Sequence, residues 1–97
     1  MIGKFVVIRT RSAGVHCGIL RQCHTGQCTV VELSQARRIW RWRGANSLHE
    51  LALRGASQEW TRISESVEAI FISEVIEVIP CTPEAETNLR QSRWGRE

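Results

Sequence analysis

The apolar positions of this chain fall in short runs rather than along extended helical stripes. "GKFVVIRT" (3–10) is rich in β-branched and aromatic residues and opens a first strand. "RSAG" (11–14) is small and polar and reads as a turn. "VHCGILRQC" (15–23) and "QCTVVEL" (27–33) flank "HTG", which predicts a hairpin bending at Gly26. "ARRIWRW" (36–42) reads as a fourth strand and "RGAN" (43–46) as a loop.

Ser47-Leu48-His49-Glu50 then has the capping-box layout, with Ser47 as N-cap and Glu50 reaching back. Leu48, Leu51 and Ala52 form the apolar stripe of a short helix that Gly55 ends. Residues 56–66 read as a loop with Trp60 as its anchor. "VEAIFISEVIEVIP" (67–80) is one long strand, or two short ones separated by a bulge. Thr82 followed by Pro83 is an N-cap with proline at the first helical position, which predicts a helix over 83–92 and a loose tail over 93–97. Strands dominate and no βαβ rhythm occurs. The expected fold is one α+β domain spanning 1–97, a mostly antiparallel sheet or half-barrel with a short helix packed on it and a short C-terminal helix.

Charge sharpens this picture. Of thirteen basic residues only Lys4 is not arginine, and all ten acids are glutamate. Arginine offers a planar fork that grips phosphate and stacks on rings, although a GC-rich genome also produces such a bias. Residues 1–62 hold ten basic and three acidic residues, net +7, whereas 63–97 hold three and seven, net −4. The first part reads as the side that meets an anion. The acidic part would equally neutralise the basic part of a neighbouring subunit. No apolar run approaches the ~18 residues of a membrane span, and the N-terminus lacks a signal-peptide layout. A soluble cytoplasmic protein is expected.

Two stretches carry candidate ligand chemistry. In "RRIWRWR" (37–43) strand alternation puts Arg38, Trp40 and Trp42 on one face and Arg37, Ile39, Arg41 and Arg43 on the other. One reading packs the tryptophans in the core and leaves the arginines in solvent. The other notes that both faces carry arginine, so neither is plainly interior. It also notes that the strand leads into a helix N-terminus, where exposed N–H groups near Asn46 and Ser47 favour an anion. Trp40 or Trp42 would then stack an aromatic base. In "RTRSAGVH" (9–16), Arg9 and Arg11 alternate and point the same way, and His16 is either a ligand donor or a structural histidine. The candidate ligand-binding set is therefore Arg9, Arg11, His16, Arg38, Trp40, Trp42, Asn46 and Ser47.

The four cysteines, Cys17, Cys23, Cys28 and Cys81, follow no paired C-x-x-C spacing, so no metal is expected. No cofactor is expected either. The chain has no Asp and no G-x-S-x-G, Glu50 reads as a capping residue, and Cys17 and His16 face opposite ways as strand neighbours. The expectation is no catalysis. A metal-free phosphodiesterase built on two histidines is the enzymatic alternative.

"MIGKFVVIRTRSAGVH", "ARRIWRWRGANSLHELALRGAS" and "ISEVIEVIPCTPEA" together resemble a family of small phage and prophage proteins grouped as a domain of unknown function. The likeness spans nearly the whole chain. Arg41 and Arg43 stand where Tyr- or Ser-like residues are expected, and the Cys23–Cys28 hairpin looks particular to this chain. A second likeness, of type rather than motif, is to compact oligomeric phage proteins that sequester nucleotide immune signals. Those signals are the ADP-ribose derivatives of Thoeris and the cyclic nucleotides of CBASS. It implies an anti-defence "sponge" in the infected host cell, a homo-oligomer with pockets between subunits and no catalytic group. A nucleic-acid-binding or defence-protein-binding accessory protein is the alternative. A structural or protein-mimic role through the acidic part is a third.

Overall fold

The elements run β1 (Phe5–Thr10), β2 (Val15–His24), β3 (Val30–Arg41), α1 (Leu48–Arg54), β4 (Arg62–Ile63), β5 (Val67–Ile72), β6 (Val75–Pro80) and α2 (Pro83–Gln91). In this computed structural model the described residues are 2–24, 29–42, 47–57 and 61–92, the side chain of Arg41 excepted. The Gly26 bend, the Trp60 anchor, the RGAN loop and the 93–97 tail lie outside them. The fold is the expected α+β: a six-stranded, antiparallel open sheet of order β4-β3-β2-β1-β6, with β5 also paired to β3.

Two boundaries differ from the sequence reading. The predicted third and fourth strands are one strand, β3, with Gln35 at φ 51 inside it. A residue in the left-handed region lets a bulge form without ending the strand. The ladder to β2 slips at this point, since Cys17 faces Arg37 but Ile19 faces Ser34. The loop expected over 56–66 contains the two-residue strand β4, which caps the far end of β3.

The run 67–80 is the broken alternative of the two foreseen. β5 pairs with β3 and β6 with β1, and the corner between them holds Glu74 at φ 58. Arg11 N donates to the Glu74 carbonyl and Val75 N to the Thr29 carbonyl, which ties this corner to both ends of the sheet.

Ladder partners share a face, so the register gives the two sides of the sheet. On one side lie Val7, Cys17, Arg37 and Ile79, followed by Val15 and Ile39. Both helices pack there, bringing Leu48, Leu51 and Leu89 onto Phe5, Val7, Cys17, Ile39 and Ile63. The other side carries Val6, Ile8, Leu20, Leu33 and Ala36, which Ile72 and Val75 of the β5–β6 arm help to bury. Each fully buried large aliphatic of these clusters contributes roughly 1.5–3 kcal/mol.

The helices form as the caps predict. Ser47 Oγ accepts from Glu50 N at 3.3 Å, and Thr82 Oγ1 accepts from Ala85 N at 3.0 Å with Pro83 following it. Gly55 closes α1 at φ 80, where a Cβ would sit 2.3 Å from Asn88 Cγ. That close approach lets Asn88 bond both the N–H and the carbonyl of Ala56, latching α2 to the end of α1.

Candidate functional site

β1 ends at Thr10, whose hydroxyl closes the next turn. Thr10 Oγ1 accepts from Ala13 N at 2.7 Å and donates to the Gly14 carbonyl at 3.0 Å. Gly14 takes φ 87, which only glycine adopts without strain. A Cβ at Gly14 would lie 3.0 Å from a guanidinium nitrogen of Arg38, so Arg38 crosses directly over the turn. His16 stands opposite Arg38 in the β2–β3 ladder. Gly14 and Trp40 are each one residue beyond the Val15–Ile39 pair. Turn, strand end and tryptophan therefore meet at one end of the sheet.

His16 belongs to the frame of this site. It is buried, and its Nε2 donates to the Ala13 carbonyl at 2.9 Å. Burial lowers its pKa, the Ala13 bond opposes that, and the Arg38 charge adds to the lowering. The imidazole is a neutral strut of the turn, the structural one of its two readings.

The arginines divide into committed and open groups. Arg9 pairs with Glu77 at 3.1 Å on the helix-bearing side. The strand alternation behind the expectation that Arg9 and Arg11 point the same way does not reach Arg11, because β1 ends at Thr10 after a register shift and Arg11 lies in the turn. The Arg9–Glu77 pair is also a neutralisation within one chain, where the charge split suggested one between subunits.

Arg37 donates to the carbonyls of Ser64 (2.7 Å), Leu89 (3.0 Å) and Arg90 (3.1 Å), and also to Ser92. Arg90 bonds Glu86 and Gln35, each at 2.8 Å, and lies 4.9 Å from the Phe5 ring centroid. Arg11 and Arg38 are exposed and have no carboxylate partner among the described residues. Exposed Trp40 lies two residues beyond Arg38, at the end of β3.

The remaining predicted residues fall elsewhere. Trp42 packs against the helix-side core with Ile39, not beside Trp40. The parity count assumed an unbroken strand, but the ladder to β4 shifts between Ile39 and Arg41 and the strand ends at Arg41. The idea that neither face is interior is likewise corrected. Ile39 is 1% exposed, and half-buried Arg37 on the same face spends its guanidinium on backbone carbonyls. Ser47 caps α1 with its own oxygen, and Leu48 anchors that helix on the side opposite Arg38. α1 has seven residues, and the loop that leads into it, where the phosphate seat is expected, lies outside the described residues. Asn46 lies outside the described residues.

The described residues also form an open groove of about 620 Å³, lined in part by Gln35, Arg37, Glu65, Arg90 and Ser92. None of the seven predicted ligand residues that are described lines it. Its two guanidiniums already hold internal partners, so it offers a ligand less free charge than the Arg38 turn. Sequence reading missed this groove because Arg37 and Arg90 are far apart in the chain. The basic residue in the last turn of α2 was the available signal.

Cys17 packs as an apolar group, since burial pushes its thiol up to about 12 against the pull of Arg37 and Arg90. Burial, reinforced by Cys17 and Glu86, does the same to Cys81. Neither supplies a thiolate near neutral pH. No group of three or more metal-ligating side chains occurs among the described residues, and no helix among them is long and apolar enough to cross a membrane.

No curated protein and no solved structure matches the chain. The family described as "Domain of unknown function (DUF6948)" matches residues 3–89, nearly the whole chain, and it is to this family that the protein belongs.

Proposed function

We propose that the sheet end built from the Thr10–Gly14 turn, Arg11, Arg38 and Trp40 binds a small phosphorylated aromatic ligand and holds it unchanged. The supporting observation is the Arg38 guanidinium crossing Gly14 without a carboxylate partner among the described residues, near an exposed tryptophan. A guanidinium fork bonds two phosphate oxygens. An indole face stacks a base for roughly 1–3 kcal/mol. His16 gives the turn stiffness, so the cations are positioned before a ligand arrives. In its narrower form the ligand is a nucleotide immune signal, an ADP-ribose derivative or a cyclic nucleotide. The protein is then a phage-encoded anti-defence sequestering agent, which rests on the resemblance of type. In this reading the protein is a homo-oligomer in which a second subunit supplies the other wall of the pocket.

Calorimetry against cyclic ADP-ribose isomers and cyclic dinucleotides tests this reading. Binding by the native chain, weakened at least about tenfold in Arg38→Ala, is expected. Folded protein that binds none of them overturns it. Affinity that grows with oligonucleotide length and falls steeply with salt favours a nucleic-acid partner instead.

A further inference from the structure

β5 is an edge strand that lacks most of the protections such edges carry. It pairs with β3 through Val67, Ala69, Ile70, Phe71 and Ile72, and no other strand bonds to it among the described residues. Val67, Glu68 and Ala69 are exposed one after another, so both faces and the outer edge are open there. Phe71 is 69% exposed and Val67 48%, on alternate positions that line one face. Natural edges are usually blunted by lysine, proline or a bulge. β5 has none of these, and Glu68 is its sole charge.

The carboxylates nearby set the sign of a partner. Glu68 lies within β5, Glu65 just before it, and Glu74 just after it. All three are exposed, and none has a cationic partner among the described residues. A second copy pairing strand to strand would gather six such glutamates along one ribbon. Like charges that close are destabilising. A basic segment is attracted by the same groups and gains the unpaired backbone N–H and C=O row as well.

We infer that the free edge of β5 receives an extended basic-and-apolar segment of another protein, added as a further antiparallel strand. Main-chain hydrogen bonds give the affinity in this mode, and alternate side chains give the specificity. Apolar positions of the guest rest beside Val67, Ala69 and Phe71. Basic positions on its other face meet Glu68, and its ends meet Glu65 and Glu74. This surface is on another strand from the Arg38 turn, so the inference stands apart from the nucleotide reading.

A labelled peptide of alternating arginine and valine, titrated into the full chain and followed by amide NMR and hydrogen exchange, tests it. Added protection of the β5 amides is expected. Binding is expected to weaken at least about tenfold in Glu68→Lys. The same loss is expected for a peptide N-methylated at alternate residues, a change that leaves the protein untouched. Equal binding of the N-methylated peptide, or binding without protection of β5, reduces the effect to surface charge and overturns the inference. Absence of binding by the folded chain also overturns it. So does a dimer in sedimentation that Phe71→Lys dissociates, because self-pairing then occupies the edge.

Discussion

Arg37 sends its guanidinium to the helix side of β3, where the carbonyls of Ser64, Leu89, Arg90 and Ser92 accept from it. Arg38, the next residue, sends its own to the other side, across Gly14 and with no carboxylate partner among the described residues. Identical side chains one residue apart thus do opposite work. Arg37 is a tie that joins three elements, at the end of α2 where a cation also suits the helix dipole. Arg38 is exposed and forms no ion pair among the described residues, which is why the proposed ligand site is built on it. Charge alone marks neither role; the presence or absence of partners does.

The largest expected effect is on Arg37. Replacing it by alanine strands several part-buried carbonyls, and hydrogen bonds to a charged group are worth roughly 1.5–3 kcal/mol each. Arg37→Ala should therefore cost about 3 kcal/mol, lowering Tm by about 12 °C or more for a chain of this size. Arg37→Lys should recover little, because an ammonium cannot fork to carbonyls of two elements. Calorimetric melts check both. A loss under about 0.5 kcal/mol in Arg37→Ala would make it a surface residue and erase the contrast.

Arg38→Ala is expected to do the reverse. Stability should stay within about 0.5 kcal/mol, while affinity for the phosphorylated ligand drops at least about tenfold, or about 1.4 kcal/mol. Gly14→Ala sharpens the point by moving Arg38 without removing it. Forcing alanine to φ 87 costs about 1 kcal/mol, and its Cβ would press on the guanidinium. Urea unfolding should show that modest loss, and calorimetry a weakened ligand. Unchanged binding in Gly14→Ala would separate the turn from the site.

Local chemistry is what the sequence carried well. Ser47, Thr82, Pro83 and Gly55 mark both helices because a cap acts through its own backbone neighbours. The β-rich runs mark the strands and the α+β class for the same reason. Parity counting failed wherever the chain slips. The Gln35 bulge joined two predicted strands, the shift after Ile39 moved Trp42 to the core, and the end of β1 separated Arg9 from Arg11. A slip of one residue exchanges faces, and nothing in the residue types announces it. The parity count did put Arg37 and Arg38 on opposite faces, as the ladder to β2 has them, but it could not say which one finds partners. The partners of Arg37 lie about fifty residues downstream, at Leu89, Arg90 and Ser92, and exist only once the helix has docked.

The smallest effect concerns pH and links His16 to Arg38. Burial holds His16 in its neutral form, so its folded pKa lies below the ordinary 6.5. The unfolded chain therefore binds a proton more readily than the folded one. By linkage, His16 leaves stability unchanged well above 6.5 and lowers it as pH falls through that value. The urea midpoint should be lower at about pH 5.5 than at about pH 7.5, and His16→Gln should reduce that difference. Arg38→Ala should reduce it as well, by less, because the Arg38 charge is the smallest of the causes acting on His16. A drop of the same size in all three proteins would assign the pH dependence to other groups. It would also leave Arg38 without electrostatic contact with the turn it crosses.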